Sequence, residues 1–225
     1  MPDAWLDAGL AMIFDMDGVI VDSNPWHTQA WLIYLRRHGI DFGDTLADQM
    51  YGKRNEELVP EFFGQGLSAA EIARHGADKE ALYREMIAPR FEEALVPGVR
   101  ELIARHAALP MGVATNAEPA NVDFVLGKAG LRGYFRAIVD GQQVRHAKPH
   151  PEIYLLAAQR LGVEPRNCIV FEDSFSGVEA ARAAGTRVVG LRTTHHDLPA
   201  TDLAIEDFRS PKLEPWLRAQ LPDQS

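Results

Sequence analysis

From about Leu95 onward, short apolar runs alternate with helical patterns, and that alternation is the mark of βα units building a parallel sheet. The runs are Met111–Thr115, Ala137–Val139, Cys168–Glu172, Arg187–Leu191 and Leu203–Ile205. Helical stretches near Gly98–Arg105, Asn121–Gly130, Pro151–Leu161 and Gly177–Ala184 separate them. One more run, Ala11-Met12-Ile13-Phe14-Asp15, stands near the N-terminus, and the interval after it is helical in pattern. Pro25–Arg37 begins with a proline suited to a first helical turn, and Asn55–Phe63, Ala69–Arg74 and Lys79–Phe91 follow. A sheet interrupted after its first strand by a block of helices predicts an α/β fold with a doubly wound parallel sheet and an inserted helical cap.

The expected division is a Rossmann-like α/β core at residues 1–17 and 93–225 and a cap at residues 18–92. Ligands of open α/β sheets bind at the carboxyl ends of the strands, so part of the active site is expected where core and cap meet. A chain of 225 residues suits one large domain or one domain with an insert, and 46% hydrophobic residues supply a sizeable core. The balance of 23 Lys and Arg against 32 Asp and Glu gives a net charge of −9. Such a surface repels phosphate backbones and anionic lipid, so neither nucleic acid nor membrane is expected as a partner. No uninterrupted apolar stretch approaches the roughly 18 residues of a membrane span. No basic residue precedes Arg36 and four aspartates break the N-terminal apolar runs, which argues against a secretory signal and for a cytoplasmic protein; a monomer or weak oligomer is expected. The single cysteine, Cys168, lies in an apolar run and reads as an inert core thiol.

The most informative stretch is Phe14-Asp15-Met16-Asp17-Gly18-Val19-Ile20-Val21-Asp22-Ser23. An apolar strand ends in a carboxylate, and a second carboxylate follows two residues later, where the strand period points both roughly the same way. Burying two like charges is costly unless a cation or catalytic use compensates. The plainer alternative is a strand-end turn in which Asp15 and Asp17 cap Gly18 and its neighbours. Thr115-Asn116 ends another strand, where a hydroxyl and neighbouring amides can bind a phosphoryl oxygen or simply cap the next helix. Lys148-Pro149 precedes a helix and either aims an ammonium at developing negative charge or is an ordinary surface lysine. Glu172-Asp173 places two more acids at the end of a strand, and hard oxygen ligands from two strands suit Mg²⁺.

These four signals fall in a fixed order, and with them the chain resembles the haloacid dehalogenase-like superfamily of phosphohydrolases over nearly its whole length. Asp15-Met16-Asp17-Gly18, Thr115-Asn116, Lys148-Pro149 and Glu172-Asp173 are similar to its first to fourth motifs. The Asp-x-Asp-Gly-Val-Ile-x-Asp-Ser form and the Lys-Pro-His-Pro-Glu-Ile-Tyr string mark the subgroup with a helical cap after the first strand, which includes β-phosphoglucomutase. The resemblance implies two-step phosphoryl transfer on a small phosphorylated metabolite, a sugar phosphate or similar compound, or pyrophosphate. Asp15 would be the nucleophile and Asp17 the acid and base, with Thr115 and Lys148 on the transferring phosphoryl oxygens. Mg²⁺ would be held by Asp15, the Asp17 carbonyl and Asp173, with Glu172 either a ligand or a support to the ligands.

Within the subgroup, Ser23, His27 and Gly52-Lys53-Arg54-Asn55 look like the mutase, which implies substrate contacts from His27, Gly52, Arg54 and Asn116. His27 is equally read as an interface histidine, and Arg54 as a solvated residue at a helix start. Ala117-Glu118-Pro119 departs from the mutase, because an acid there repels a second phosphate. The expectation is therefore a Mg²⁺-dependent phosphatase, with a sugar-phosphate mutase as first alternative and a non-enzymatic phospho-acceptor switch as second. Asp17 argues against the switch, since a signalling acceptor has no need of an acid and base. Trp5, Trp26, Trp31 and Trp216 read as packing residues, and His195-His196-Asp197 as a solvated turn.

Overall fold

The structure is a computed structural model that describes residues 9–41, 50 and 53–221. In chain order, β1 (Ala11–Phe14) is followed by α1 (Asn24–Arg37), α2 (Asn55–Phe63) and α3 (Ala69–Ile87). Then come α4 (Val99–Arg105), β2 (Met111–Ala114), α5 (Pro119–Ala129), β3 (Ala137–Val139), α6 (Glu152–Leu161) and β4 (Cys168–Glu172). The chain closes with α7 (Phe175–Ala183), β5 (Arg187–Leu191), β6 (Leu203–Ile205) and α8 (Leu213–Arg218). By its packing it divides into two compact units, Met1–Asp22 with Leu95–Ser225, and Ser23–Ala94. The first division falls after Asp22 because the turn that follows β1 folds back on its own unit, with Val21 bridging both Asp17 and Leu95.

In the α/β unit six strands run parallel in the order β3-β2-β1-β4-β5-β6. Four of them, β1, β2, β4 and β5, are buried throughout or nearly so, as parallel strands covered on both faces must be. Helix α6 packs on β2 and β3, and α7 packs on β5. Phe14 stacks on Phe171 at 4.7 Å, which joins the ends of β1 and β4. That pair of strands is where the order reverses, β1 leading outward through β2 to β3 and β4 outward through β5 to β6. The carboxyl ends of β1 and β4 therefore form the crevice in which a doubly wound sheet binds ligands. The register Phe14↔Val113 and Phe14↔Phe171 brings Asp15, Thr115 and Glu172 to the same edge of the sheet.

The helical unit is built on α3, against which α1 and α2 both pack. Trp31 meets Phe62 edge-on at 5.1 Å, and Phe63 stacks on His75 at 4.2 Å. The two helical patterns Ala69–Arg74 and Lys79–Phe91 are one continuous helix, Ala69–Ile87, which a 3₁₀ turn extends to Arg90. Gly76, in the interval between the two patterns, is buried in the helix where a Cβ would lie 3.0 Å from the Asn55 side chain. The glycine marks a close approach of α2, not an end of α3.

Candidate active site

The site grows from the end of β1. The Asp15 amide still donates to Phe171 O at 3.0 Å, so this residue is the last one held by the sheet. Beyond it the chain turns sharply, with Gly18 N donating to Val21 O at 2.7 Å and Ile20 N to Met16 O at 2.8 Å. Gly18 adopts φ 74°, and a Cβ there would run into the Asp173 carboxylate. Glycine is required on both counts, backbone conformation and space. The half-buried Asp17 sits in this turn, and Thr193 Oγ1 clips it by donating to Gly18 O at 2.6 Å.

Three buried carboxylates meet next to the turn: Asp15, Glu172 and Asp173 each offer an oxygen within 4.8 Å of the others. Lys148, also buried, reaches them from the loop between β3 and α6, its Nζ 2.9 Å from Asp15 Oδ1 and 2.6 Å from Glu172 Oε1. The second Glu172 oxygen accepts from Asp173 N at 2.8 Å, Ser174 N at 2.9 Å and Ser174 Oγ at 3.0 Å. Tyr154, one turn into α6, donates its hydroxyl to Oε1 at 2.8 Å. Both oxygens of Glu172 are thus fully occupied by donors. Asp15 Oδ1 is different: it is buried and pairs with Lys148 only as an ion, without hydrogen-bond geometry. Asp173 Oδ2 accepts from the Thr194 hydroxyl.

The protonation of the cluster follows from this arrangement. Burial, with Glu172 and Asp17 nearby, pushes Asp15 up to about 7 against the pull of Lys148. Asp173 is raised well above the carboxylate range by burial and by its acidic neighbours. Burial alone would raise Glu172 too, but Lys148 and its backbone donors hold it below its ordinary value. Lys148 is held above the ordinary lysine value by Asp15 and Glu172, although burial opposes this. Fully ionised, three carboxylates and one ammonium carry a net charge of two negatives, which protons or one divalent cation can neutralise. The donor set is all oxygen, and Asp15 Oδ1 has no hydrogen-bond partner among the described residues, so the residues present fit Mg²⁺.

Thr115 is buried one residue past β2; its N donates to Val139 O at 3.0 Å, and its Oγ1 accepts from Ala117 N at 3.2 Å. Its hydroxyl therefore closes the local turn, while Glu118 occupies the N-cap of α5. Asn116 follows at the same edge, half-buried. His27 and Arg54 belong to the helical unit. There the buried His27 ring stacks on Tyr83 at 3.8 Å, with Nδ1 3.3 Å from Lys79 Nζ and 3.5 Å from Glu80 Oε2. Lys79 pairs with Glu80, which also accepts from Asn55 Nδ2 at 2.8 Å. Arg54 opens α2, its N donating to Glu57 Oε2 at 2.9 Å, while Nε and Nη2 are buried without a hydrogen-bond partner among the described residues. Gly52 lies outside the described residues, as does Trp5.

The structure thus joins Asp15, Lys148, Glu172 and Asp173 directly, and sets Asp17 and Thr115-Asn116 on the same sheet edge. Sequence reasoning passes over Tyr154, Thr193, Thr194, Lys79 and Glu80. Tyr154 closes the Lys-Pro-His-Pro-Glu-Ile-Tyr string, and the two threonines follow a strand end, so each carries a weak signal. For Lys79-Glu80 an exposed helix pair is the ordinary reading, and nothing local indicates burial. His195 is found against Phe175, with ring centres 4.3 Å apart.

A family model described as haloacid dehalogenase-like hydrolase matches residues 10–185. Fructose-1-phosphate phosphatase YqaB of Escherichia coli is 37% identical over 184 residues, which span 80% of this chain and 95% of that protein. Beta-phosphoglucomutase of Bacillus subtilis is 30% identical over 190 residues, 80% of this chain and 82% of that one. Among solved structures, beta-phosphoglucomutase from Clostridium difficile superposes with a TM-score of 0.81 at 28% identity, covering 94% of this chain and 96% of its own.

Proposed function

The chain belongs to the haloacid dehalogenase-like hydrolases, and on that premise we propose that it hydrolyses a small phosphorylated sugar or related phosphoester through an aspartyl phosphate formed on Asp15. The carrying observation is the cluster at the ends of β1 and β4: three buried carboxylates with a single ammonium, two of them raised and one held low. Such a site is built to take up a cation together with a phosphate. Mg²⁺, when bound, supplies the positive charge that lets a carboxylate approach a phosphoryl group. Asp15, the Asp17 carbonyl and Asp173 would hold it. Glu172, its oxygens already filled, would instead anchor Lys148 and the loop that follows β4.

The Asp15 carboxylate attacks phosphorus as the bond to the ester oxygen breaks, and Asp17 gives its proton to the departing alkoxide. Water then attacks the acyl phosphate, Asp17 takes the water's proton, and inorganic phosphate leaves with Asp15 restored. Lys148 Nζ, 2.9 Å from Asp15, stays within reach of a phosphoryl oxygen on that carboxylate, and Thr115 offers its hydroxyl from the neighbouring strand. Asn116, His27, Gly52 and Arg54 are proposed as substrate contacts. Among these Arg54 has the strongest support, since a guanidinium with two buried, unfilled nitrogens suits an anionic oxygen.

The test is release of phosphate from a panel of sugar phosphates, polyol phosphates and pyrophosphate in Mg²⁺, run beside Asp15→Asn and Asp17→Asn. Turnover of at least one compound, lost in Asp15→Asn, is expected; no turnover on any of them, or full activity in Asp15→Asn, would overturn the reading. A mutase is the second reading, favoured by the likeness to the two beta-phosphoglucomutases. Supplying β-glucose 1-phosphate with a trace of the bisphosphate separates the two. Glucose 6-phosphate formed without matching free phosphate would establish the mutase.

A further inference from the structure

The loop that carries Lys148 holds a second group of metal-binding side chains, made of different atoms from the acidic cluster. His146 and His150 stand two residues on either side of Lys148, and Glu152 opens α6. Nδ1 of His146 lies 3.0 Å from Glu152 Oε2, and Nδ1 of His150 lies 3.9 Å from the same oxygen. One ligand atom from each residue is within 4.8 Å of the other two. The imidazole centres are 4.5 Å apart. The Glu152 side chain is fixed in place by its own loop, Oε1 accepting from Arg145 N and Oε2 from His146 N, each at 3.0 Å. Nδ1 of His150 accepts from Glu152 N at 3.2 Å, so this nitrogen carries no proton, and a metal ion would take its lone pair in exchange for that one bond. The histidine side chains are 64% and 51% exposed, which leaves the group open to a hydrated ion from solution.

We propose that His146, His150 and Glu152 form a binding site for a divalent transition-metal ion of the zinc class. Two imidazoles and one carboxylate are the ligand set that selects zinc, cobalt, nickel or copper over magnesium. Tetrahedral zinc with bonds of ~2.0–2.1 Å needs its ligand atoms about 3.3 Å apart. The two measured separations, 3.0 and 3.9 Å, lie on either side of that value. Small rotations of two exposed rings close the set, and water completes the shell. The backbone bonds to Glu152 are the supporting contacts that orient a metal ligand. Because both histidines flank Lys148, the bound ion ties the two sides of that residue's loop to the start of α6.

The rival is a loop clip in which His146 merely pairs with Glu152. The two are separated by titrating the whole chain, stripped with chelator and then held in excess Mg²⁺, with Co²⁺ followed by its visible absorption. One Co²⁺ per chain is expected, with ligand-field bands typical of nitrogen ligation and displacement by Zn²⁺. His146→Ala and His150→Ala should each weaken Co²⁺ binding by at least the 10–100-fold that loss of a supporting contact costs a metal site. Both residues are surface-exposed, and the melting temperature of each variant reports that it remains folded. Asp173→Asn should leave the Co²⁺ spectrum unchanged. Absence of Co²⁺ binding, a spectrum indifferent to both histidine variants, or one abolished by Asp173→Asn would each overturn the proposal. The readout is binding, so it stands or falls apart from any result on hydrolysis.

Discussion

Replacing Asp15 by asparagine should stabilise the metal-free protein at neutral to alkaline pH even as it removes turnover. In the fold Asp15 keeps its proton up to about pH 7, against an ordinary value of 3.8. Between those two values the folded chain holds a proton that the unfolded chain has released, so stability falls as pH rises through the window and levels off above it. At about 1.4 kcal/mol for each unit of pKa, the whole descent attributable to Asp15 is about 4 kcal/mol. For a chain of this size 1 kcal/mol moves the melting temperature by about 2–4 °C, so the share of Asp15 is roughly 8–16 °C. Asparagine cannot ionise and escapes this loss. Asp173 is raised in the same direction, partly by Asp15 itself, so the parent should fall further than this and the variant should retain a reduced Asp173 part. Glu172 does not mask the effect. Its stabilisation, from a folded value held low, is present above its ordinary 4.5 and fades only toward more acid pH. Thermal unfolding in EDTA between pH 5 and pH 8, read by far-ultraviolet circular dichroism, makes the comparison over about two of the roughly three pH units of that window, where the share of Asp15 is about 3 kcal/mol or roughly 6–12 °C. Mg²⁺ should rescue the parent more at pH 8 than at pH 6, because a proton competes with the ion at the lower pH. Parallel curves for parent and variant, in EDTA, would refute the account of Asp15.

Lys148→Met should act in the opposite sense, since it leaves the carboxylates without their ammonium; a loss of about 3–5 kcal/mol in denaturant unfolding, with phosphate release falling to background, is expected. Tyr154→Phe removes one donor from Glu172 Oε1, which should cost about 1–3 kcal/mol in the same unfolding assay. Gly18→Ala combines a left-handed backbone, costing about 1–2 kcal/mol, with a methyl group directed at the Asp173 carboxylate. A lower melting temperature and a higher Mg²⁺ concentration for half-maximal activity should follow. Cys168 is buried in β4, with burial pushing its thiol up to about 12, so iodoacetamide should modify the native chain only as fast as it opens, and denaturant should release the reaction.

The sheet was readable because its strands are buried on both faces, which leaves continuous apolar runs such as Cys168–Phe171 bounded by polar residues. The acids at the strand ends stand out against those runs for the same reason. The helical unit was harder to read, since an amphipathic pattern marks one face of a helix but says nothing of what a glycine meets. The gap between the patterns Ala69–Arg74 and Lys79–Phe91 is continuous helix, and Gly76 within it is a contact. Lys79 and Glu80 were invisible for a related reason. A charged pair on a helix ordinarily faces water, and only the packing of α1 and α2 on α3 turns these two inward, beneath Trp31 and His27.

Glu172 and Asp173 show where residue type stops being informative. They are neighbours at the end of one strand, and a sequence reading treats them as interchangeable oxygen donors. Alternation along the strand sends them in different directions, and their surroundings then drive them apart. Glu172 turns toward Lys148 and Tyr154, while its other oxygen is capped by the amides of Asp173 and Ser174, so it stays charged and has no oxygen to spare. Asp173 faces Gly18 and accepts from Thr194, and there burial and its acidic neighbours raise it well above its ordinary value. A group held ionised by five donors is a poor candidate to exchange them for a cation, whereas one whose charge is disfavoured by burial and by its acidic neighbours gains from a cation. The difference makes a mutational pair diagnostic: Asp173→Asn should raise the Mg²⁺ requirement while sparing the fold, and Glu172→Gln should lower the melting temperature because Lys148 loses its partner. If the two variants behaved alike in both measurements, the division of labour between them would be wrong.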